Sequence, residues 1–459
     1  MNKIQLTIAA LLCAFSFSLF AQEEPTETKS GWNIIPLPIA SYNSDLGFQF
    51  GALATLYDFG DGSYYPDYKH LFYFEISMYT KMSGIARVSY DSEYLIPGYR
   101  VTANLGFFPN KAYSFYGFNG YQSVYKPEFV TTGDELYRSR MFYSYQNYQT
   151  RFMVDIQRNI NPWLKWIGGI NLWNYNLQSV DVEFLNRGKE DNLLPSTADE
   201  PGLYERYVRY GIIPEDEADG GFVANVKAGL VADTRDFDAN PTKGIWTEVL
   251  LNMAPGFIGN TDPHIKLVAM HRQYFPIIEK KLTFAYRIGY QGTIAGHAPF
   301  YMQSQLQTSF IYNLTNAVGG AESVRGILYN RLLADGFAIA NAELRWRALD
   351  FRFLGQNCFL GFNFFGDAAV TVQEIEFDKD AALEIANSLY DPISSTVQPW
   401  RFHEPNYFDF SSKDKPHYTV GGGLKIGFNE NTIVSADIGK ALDSRDGSLG
   451  IYIGMDFMF

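Results

Sequence analysis

The sequence predicts an all-β fold, a sixteen-stranded antiparallel transmembrane β-barrel with long extracellular loops. Three observations carry this. Segments along the chain alternate apolar and polar residues with a period of two, the mark of strands with one apolar face. The connections between segments are short on one side and long on the other. Aromatic residues make up 17% of the chain, with 32 Tyr and 37 Phe, which fits girdles of amphipathic rings at two membrane interfaces.

The chain opens with Met1-Asn2-Lys3, runs mostly apolar from Ile8 to Phe20, and reaches Ala21 before Gln22-Glu23-Glu24. A positive start, a short apolar centre and a small residue before a polar stretch predict a signal peptide over residues 1–21. It is too short to cross a bilayer as a helix. Residues 22–32 read as a short periplasmic lead-in and 33–459 as the barrel. Removal of the leader takes Cys13 with it and leaves Cys358 alone, so no intrachain disulfide is expected.

Alternating segments follow at 33–43, 46–58, 70–80, 83–95, 99–109, 143–158, 163–177 and 221–233, then at 244–255, 264–275, 282–294, 336–349, 358–370, 417–428, 431–440 and 449–459. In the third, Phe72, Phe74, Ile76 and Met78 face one way and Tyr73, Glu75 and Ser77 the other. In the sixth, Phe152, Val154 and Ile156 oppose Arg151, Asp155 and Gln157. In the eleventh, Leu282, Phe284, Tyr286, Ile288 and Tyr290 oppose Thr283, Arg287, Gly289 and Gln291. The last places Leu449, Ile451, Ile453, Met455, Phe457 and Phe459 on one face. A polar face that still carries charges along the whole chain fits lipid outside and a wet lumen inside.

Connections after even-numbered segments are mostly short, such as Ile96-Pro97-Gly98, Asn159 to Pro162, Pro276 to Lys281 and Asn429-Glu430. Those after odd-numbered segments include four long ones, 110–142, 178–220, 295–335 and 371–416. A soluble β-sandwich would not sort its loops in this way. An even strand count puts both chain ends on the periplasmic side. Within the long loops, Gly202 to Gly211 and Asp378 to Tyr390 are candidate short helices.

In the first segment, Pro36 and Pro38 remove two backbone donors from the same strand edge. A closed barrel wants those bonds. The expectation is a short, weak closure between first and last strands; the competing reading places both prolines below the membrane. At the other end, Tyr452, Gly454, Phe457 and Phe459 have the spacing of a β-signal, the tag that marks a barrel for insertion.

A formal net charge of −13 and a pI near 5.0 exclude nucleic acid as a partner. There is no Gly-x-Ser-x-Gly, no phosphate loop and no Cys-x-x-Cys. His70, His264, His271, His297, His403 and His417 show no metal-ligand spacing. No enzyme activity, cofactor or metal is expected.

Gly319-Gly320-Ala-Glu-Ser-Val324-Arg325-Gly326-Ile327 resembles the sixth-loop signature of the BamA/TamA-type outer-membrane assembly-factor superfamily, the bacterial surface antigen barrels, with Ile327 where an aromatic is usual. Gly229-Leu-Val-Ala-Asp233-Thr-Arg235-Asp236, with Pro241-Thr-Lys-Gly244, resembles the element joining strands 8 and 9. Phe362-Asn-Phe-Phe-Gly366-Asp367 is similar to the strand-13 motif, and Tyr42-Asn-Ser-Asp-Leu-Gly47 to the opening hairpin. The matches run in order over nearly the whole mature chain.

The resemblance implies a bacterial outer-membrane barrel whose sixth loop folds back into the lumen. Its arginine, Arg325, would contact acidic residues on the inner wall. By position the candidates are Glu343 and Asp367, and residue parity independently turns both inward. A guanidinium fork bridges two carboxylates better than a lysine does. The chain departs from the family between Gln22 and Trp32, where about ten residues leave no room for the periplasmic polypeptide-transport (POTRA) domains that capture clients.

The expected function is therefore to aid outer-membrane protein insertion or polypeptide translocation with a partner. The expected partners are the outer-membrane bilayer and other assembly components or client barrels. The alternative is a passive pore, or a structural or surface-binding barrel that keeps the scaffold without the assembly activity.

Overall fold

A computed structural model describes residues 29–63, 65, 67–237, 240–310, 318–353, 356–388, 407–428, 432–455 and 457–459. The expected signal peptide, and all but the end of the expected lead-in, lie outside them. Sixteen strands close into one antiparallel barrel in which each strand pairs with its sequence neighbours. They are β1 Trp32–Asn43, β2 Gly47–Asp58, β3 His70–Tyr79, β4 Gly84–Ile96, β5 Tyr99–Ser114, β6 Ser144–Asn161, β7 Leu164–Gln178 and β8 Gly220–Asp233. The second half comprises β9 Gly244–Ala254, β10 His264–Ile278, β11 Leu282–Gly296, β12 Gly336–Phe353, β13 Gln356–Gln373, β14 His417–Phe428, β15 Thr432–Ala441 and β16 Leu449–Met455.

Burial follows the period of two. On β12, Asn341, Glu343 and Arg345 are buried while Ala340, Ala342, Leu344 and Trp346 are exposed. Around the wall, Ile76, Leu105, Ile170, Leu230, Ile288, Phe364 and Ile438 stand outward and exposed. In water such a band would drive aggregation; against lipid chains it is the matching solvent. Among the described residues no helix is long and apolar enough to cross a membrane.

Several strand ends differ from expectation. β5 continues past Pro109 to Ser114, and β6 continues opposite it, across an irregularity between Asn110 and Tyr113. The reason is packing, because Tyr113 meets Tyr145 edge-on at 5.4 Å and extends the sheet into the loops. β12 and β13 also run longer, to Phe353 and from Gln356, through a register shift at Arg347/Leu349. β16, expected to reach Phe459, stops at Met455.

Residues from the long loops gather over one end of the barrel. Phe115, Phe118, Tyr145, Tyr204, Tyr207 and Phe300 belong to one buried aromatic cluster. Their rings meet mostly edge to face, as Phe115 does with Tyr207 at 5.1 Å, an arrangement favoured by ring quadrupoles. The two candidate helices appear as Leu203–Arg209 and Lys379–Ser388.

Candidate functional site

The loop between β11 and β12 enters the lumen and lies on the inner wall of β12–β16. Arg325 is its charged contact. Its Nη1 lies 2.5 Å from Glu343 Oε1 on β12. Its Nε and Nη2 donate to the two oxygens of Asp367 on β13, at 2.9 and 3.0 Å, a bidentate fork. The Arg325 backbone N–H also donates to Asp367 Oδ2 at 3.1 Å, and the guanidinium stacks 3.4 Å from the centre of the Phe365 ring. Glu343 and Asp367, the two sequence candidates, thus both hold this side chain.

Sequence reading missed three further charges of this cluster. Asp437 on β15 lies 3.6 Å from Arg325 Nη1 and is held by Lys425 on β14 at 2.8 Å. Arg345 donates to the other oxygen of Glu343 at 2.8 Å. The cluster contains three cations (Arg325, Arg345, Lys425) and three carboxylates (Glu343, Asp367, Asp437), and all six are buried. Buried charge at this density is tolerable only when it is matched and hydrogen-bonded. The signal was present in sequence: Lys425 and Asp437 occupy inward parity in expected strands.

The flanking motif residues set the loop path. Gly319, Gly320 and Gly326 have φ of 118°, 87° and 96°, open to glycine at no steric cost. Val324 is fully buried in an apolar cluster with Ile327, Leu332 and Phe337. Gly326 N–H donates to the Tyr452 hydroxyl of β16 at 3.0 Å, so the last strand contacts the loop. Further along, Arg331 Nη1 donates to Gly120 O and its Nη2 to Ser123 O, each at 3.1 Å, tying the loop to the one between β5 and β6.

Phe457 and Phe459 do not continue the outward face. Beyond Met455 the chain leaves the sheet, and both rings meet cations of the inner wall. Arg345 lies 4.1 Å from the Phe457 ring centre and 5.1 Å from that of Phe459, and Arg345 Nη2 donates to Phe459 O at 2.5 Å. Cation–π attraction and an acceptor for a buried guanidinium favour this path over a lipid-facing one. Gly454 stays in β16 with open space where a Cβ would stand.

The seam between β1 and β16 is short. Among the described residues, the pairs are Tyr42↔Ile453 and Asn43↔Tyr452, joined by Ser44 N–H to Ile451 O at 3.0 Å. By contrast β1 pairs with β2 along its whole length, from Trp32↔Asp58 to Asn43↔Gly47. Phe48 is bonded on its β3 side, accepting from Thr80 N–H and donating to Thr80 Oγ1. Antiparallel alternation then turns the even positions of β1 toward β16. Pro36 and Pro38 are therefore strand residues whose missing donors fall on the edge facing the gap.

Asp45, in the turn between β1 and β2, lies beside this loop. Burial raises its carboxyl to about 6, partly offset by Lys81 and by the Tyr329 backbone. A carboxyl raised in the fold contributes stability that is complete below its unfolded value and lost as pH rises through about 6. Asp45→Asn is thus expected to raise the unfolding temperature at pH 8 relative to wild type. At pH 4 the two proteins should nearly coincide; thermal unfolding in detergent at the two pH values checks this.

Among the described residues no group of three or more His, Cys, Asp or Glu is placed to hold a metal ion. A family model described as the Omp85 superfamily domain matches residues 75–455. Among solved structures, BamA from Haemophilus ducreyi lacking POTRA domains 1–3 aligns at a TM-score of 0.55 and 14% identity, over 93% of this chain and 70% of that one. CdiB from Escherichia coli aligns at 0.50 and 8% identity, over 92% of this chain; the chain spans 62% of that protein. At these identities the likeness is one of fold. No curated protein matches the sequence.

Proposed function

The chain belongs to the Omp85 superfamily and is a barrel of the bacterial outer membrane, and from that premise we propose that it aids outer-membrane protein insertion or polypeptide translocation, with client capture supplied by a partner. The observation that supports this is the seam. An unpaired strand edge at membrane depth is costly, because lipid cannot satisfy its donors and acceptors. It is also a template to which an incoming strand can add. Here, among the described residues, the edge from Ile34 to Ser41 has no β16 partner, and two of its donors are deleted by proline. Those deletions lower the cost of leaving the edge open and shorten the ladder an added strand must break to leave.

Locking the seam tests the reading. The β1–β16 register, continued by one rung, sets Ser41 opposite Gly454. In Ser41→Cys/Gly454→Cys, an oxidised crosslink is expected to lower the content of other barrels in the outer membrane, and reductant is expected to restore it. Unchanged barrel content with the crosslink formed overturns the proposal. A passive pore would instead show steady conductance in planar bilayers with the seam locked; the aromatic cluster over the loop end argues against it.

A further inference from the structure

Away from the Arg325 cluster, on the opposite wall, the buried cation Arg151 has no counter-charge among the described residues. Arg151 on β6 points inward and is 3% exposed. Its Nε and Nη2, which carry three of its five N–H bonds, have no acceptor. Its guanidinium carbon rests 4.0 Å from the centre of the Phe108 ring. Directly across the β6–β7 register stands Trp173, also buried, whose Nε1–H has no acceptor either. Asn252 Nδ2 on β9 is a further unmatched donor.

Arg151, Trp173 and Asn252 line one recess of about 30 Å³, together with Lys227 and the loop segment at Gln305–Thr308. Among the described residues no carboxylate lines it. Lys227 is already neutralised by Asp155 at 2.5 Å, so Arg151 supplies the uncompensated charge. The amide oxygens of Asn171, Asn252 and Gln307 are also unmatched. The volume is roughly twice what one water needs, enough for a small ion.

We infer that this recess is a binding site for a small monovalent inorganic anion of the halide class. Water would satisfy the donors but would leave the charge of Arg151 buried and unpaired, which is the larger cost. An anion satisfies both at once, with the unmatched N–H groups of Arg151 and Trp173 as its donors. The recess lies beneath the loop that carries Arg325, so occupancy couples inner-wall charge to the seating of that loop.

Bromide is the probe. Replacing gluconate by bromide at constant ionic strength should raise the unfolding temperature of the purified barrel saturably. Bromide-soaked crystals should show an anomalous peak within hydrogen-bond reach of Arg151 and Trp173. Trp173→Phe keeps the shape and removes one donor, so it should weaken the apparent affinity about tenfold. Arg151→Gln should abolish the halide effect. No peak, water alone in the recess, or an equal bromide shift in Arg151→Gln overturns the assignment.

Discussion

Arg325→Ala is expected to destabilise the barrel by about 3–5 kcal/mol, the usual cost of removing one partner from a buried ion pair. Water entering the lumen would bring it toward the lower figure. The reason is charge balance rather than lost contact. With Arg325 present, three cations face three carboxylates. Without it, among the described residues, Asp367 loses its ion pair and Glu343 keeps the pair with Arg345. Arg325→Lys keeps the charge but loses the fork, since an ammonium cannot meet both Asp367 oxygens in plane while reaching Glu343. It should fall between wild type and alanine.

Charge balance makes a second variant informative. Arg325→Ala/Asp367→Asn returns the cluster to neutrality without restoring the loop contact. Denaturant unfolding in detergent should find the double variant more stable than Arg325→Ala alone, with a coupling of about 1–3 kcal/mol. If Asp367→Asn lowers stability equally in both backgrounds, the two residues are independent and the cluster is not an electrostatic unit.

The barrel was legible because its two governing constraints repeat. Lipid outside and water inside impose the same alternation on every strand, so errors at one segment are corrected by the next. Parity alone turns Glu343 and Asp367 to the inner wall. Lys425 and Asp437 had the same inward parity, but two opposite charges on separate segments carry no distance information. Their pairing follows from the β14–β15 register, Gly423↔Asp437 and Lys425↔Ser435, which a sequence pattern leaves open. The end of β16 was misread for a related reason. Met455, Phe457 and Phe459 continue a flawless alternation, and only the cations of β12 and β14 make an inward path better. Arg331 and the aromatic cluster depend on loop-to-loop packing, for which no period exists.

The close approach of the loop to the wall depends on a row of glycines that alternation alone would treat as gaps. Gly421, Gly439 and Gly450 are opposite one another across β14, β15 and β16. The Phe365 ring covers Gly421 and the Tyr452 hydroxyl covers Gly450, while the backbone of Arg325 and Gly326 rests on Gly439. A Cβ on Gly439 would stand 2.6 Å from Arg325 O and 2.9 Å from Gly326 N. Neither atom is the end of a flexible side chain, so the loop itself must retreat. That movement lengthens the Arg325 N–H bond to Asp367 and the Gly326 N–H bond to Tyr452 together. Gly439→Ala should therefore cost about 1–3 kcal/mol. Gly421→Ala should cost at least as much, because its Cβ would stand 2.3 Å from Ile438 O as well as from the Phe365 ring, and Gly454→Ala, with open space around it, should cost little. The decisive comparison is made in the Arg325→Ala background. If Gly439 acts by seating the arginine, Gly439→Ala adds almost nothing once Arg325 is gone; a full additive loss would make the glycine a requirement of the sheet alone.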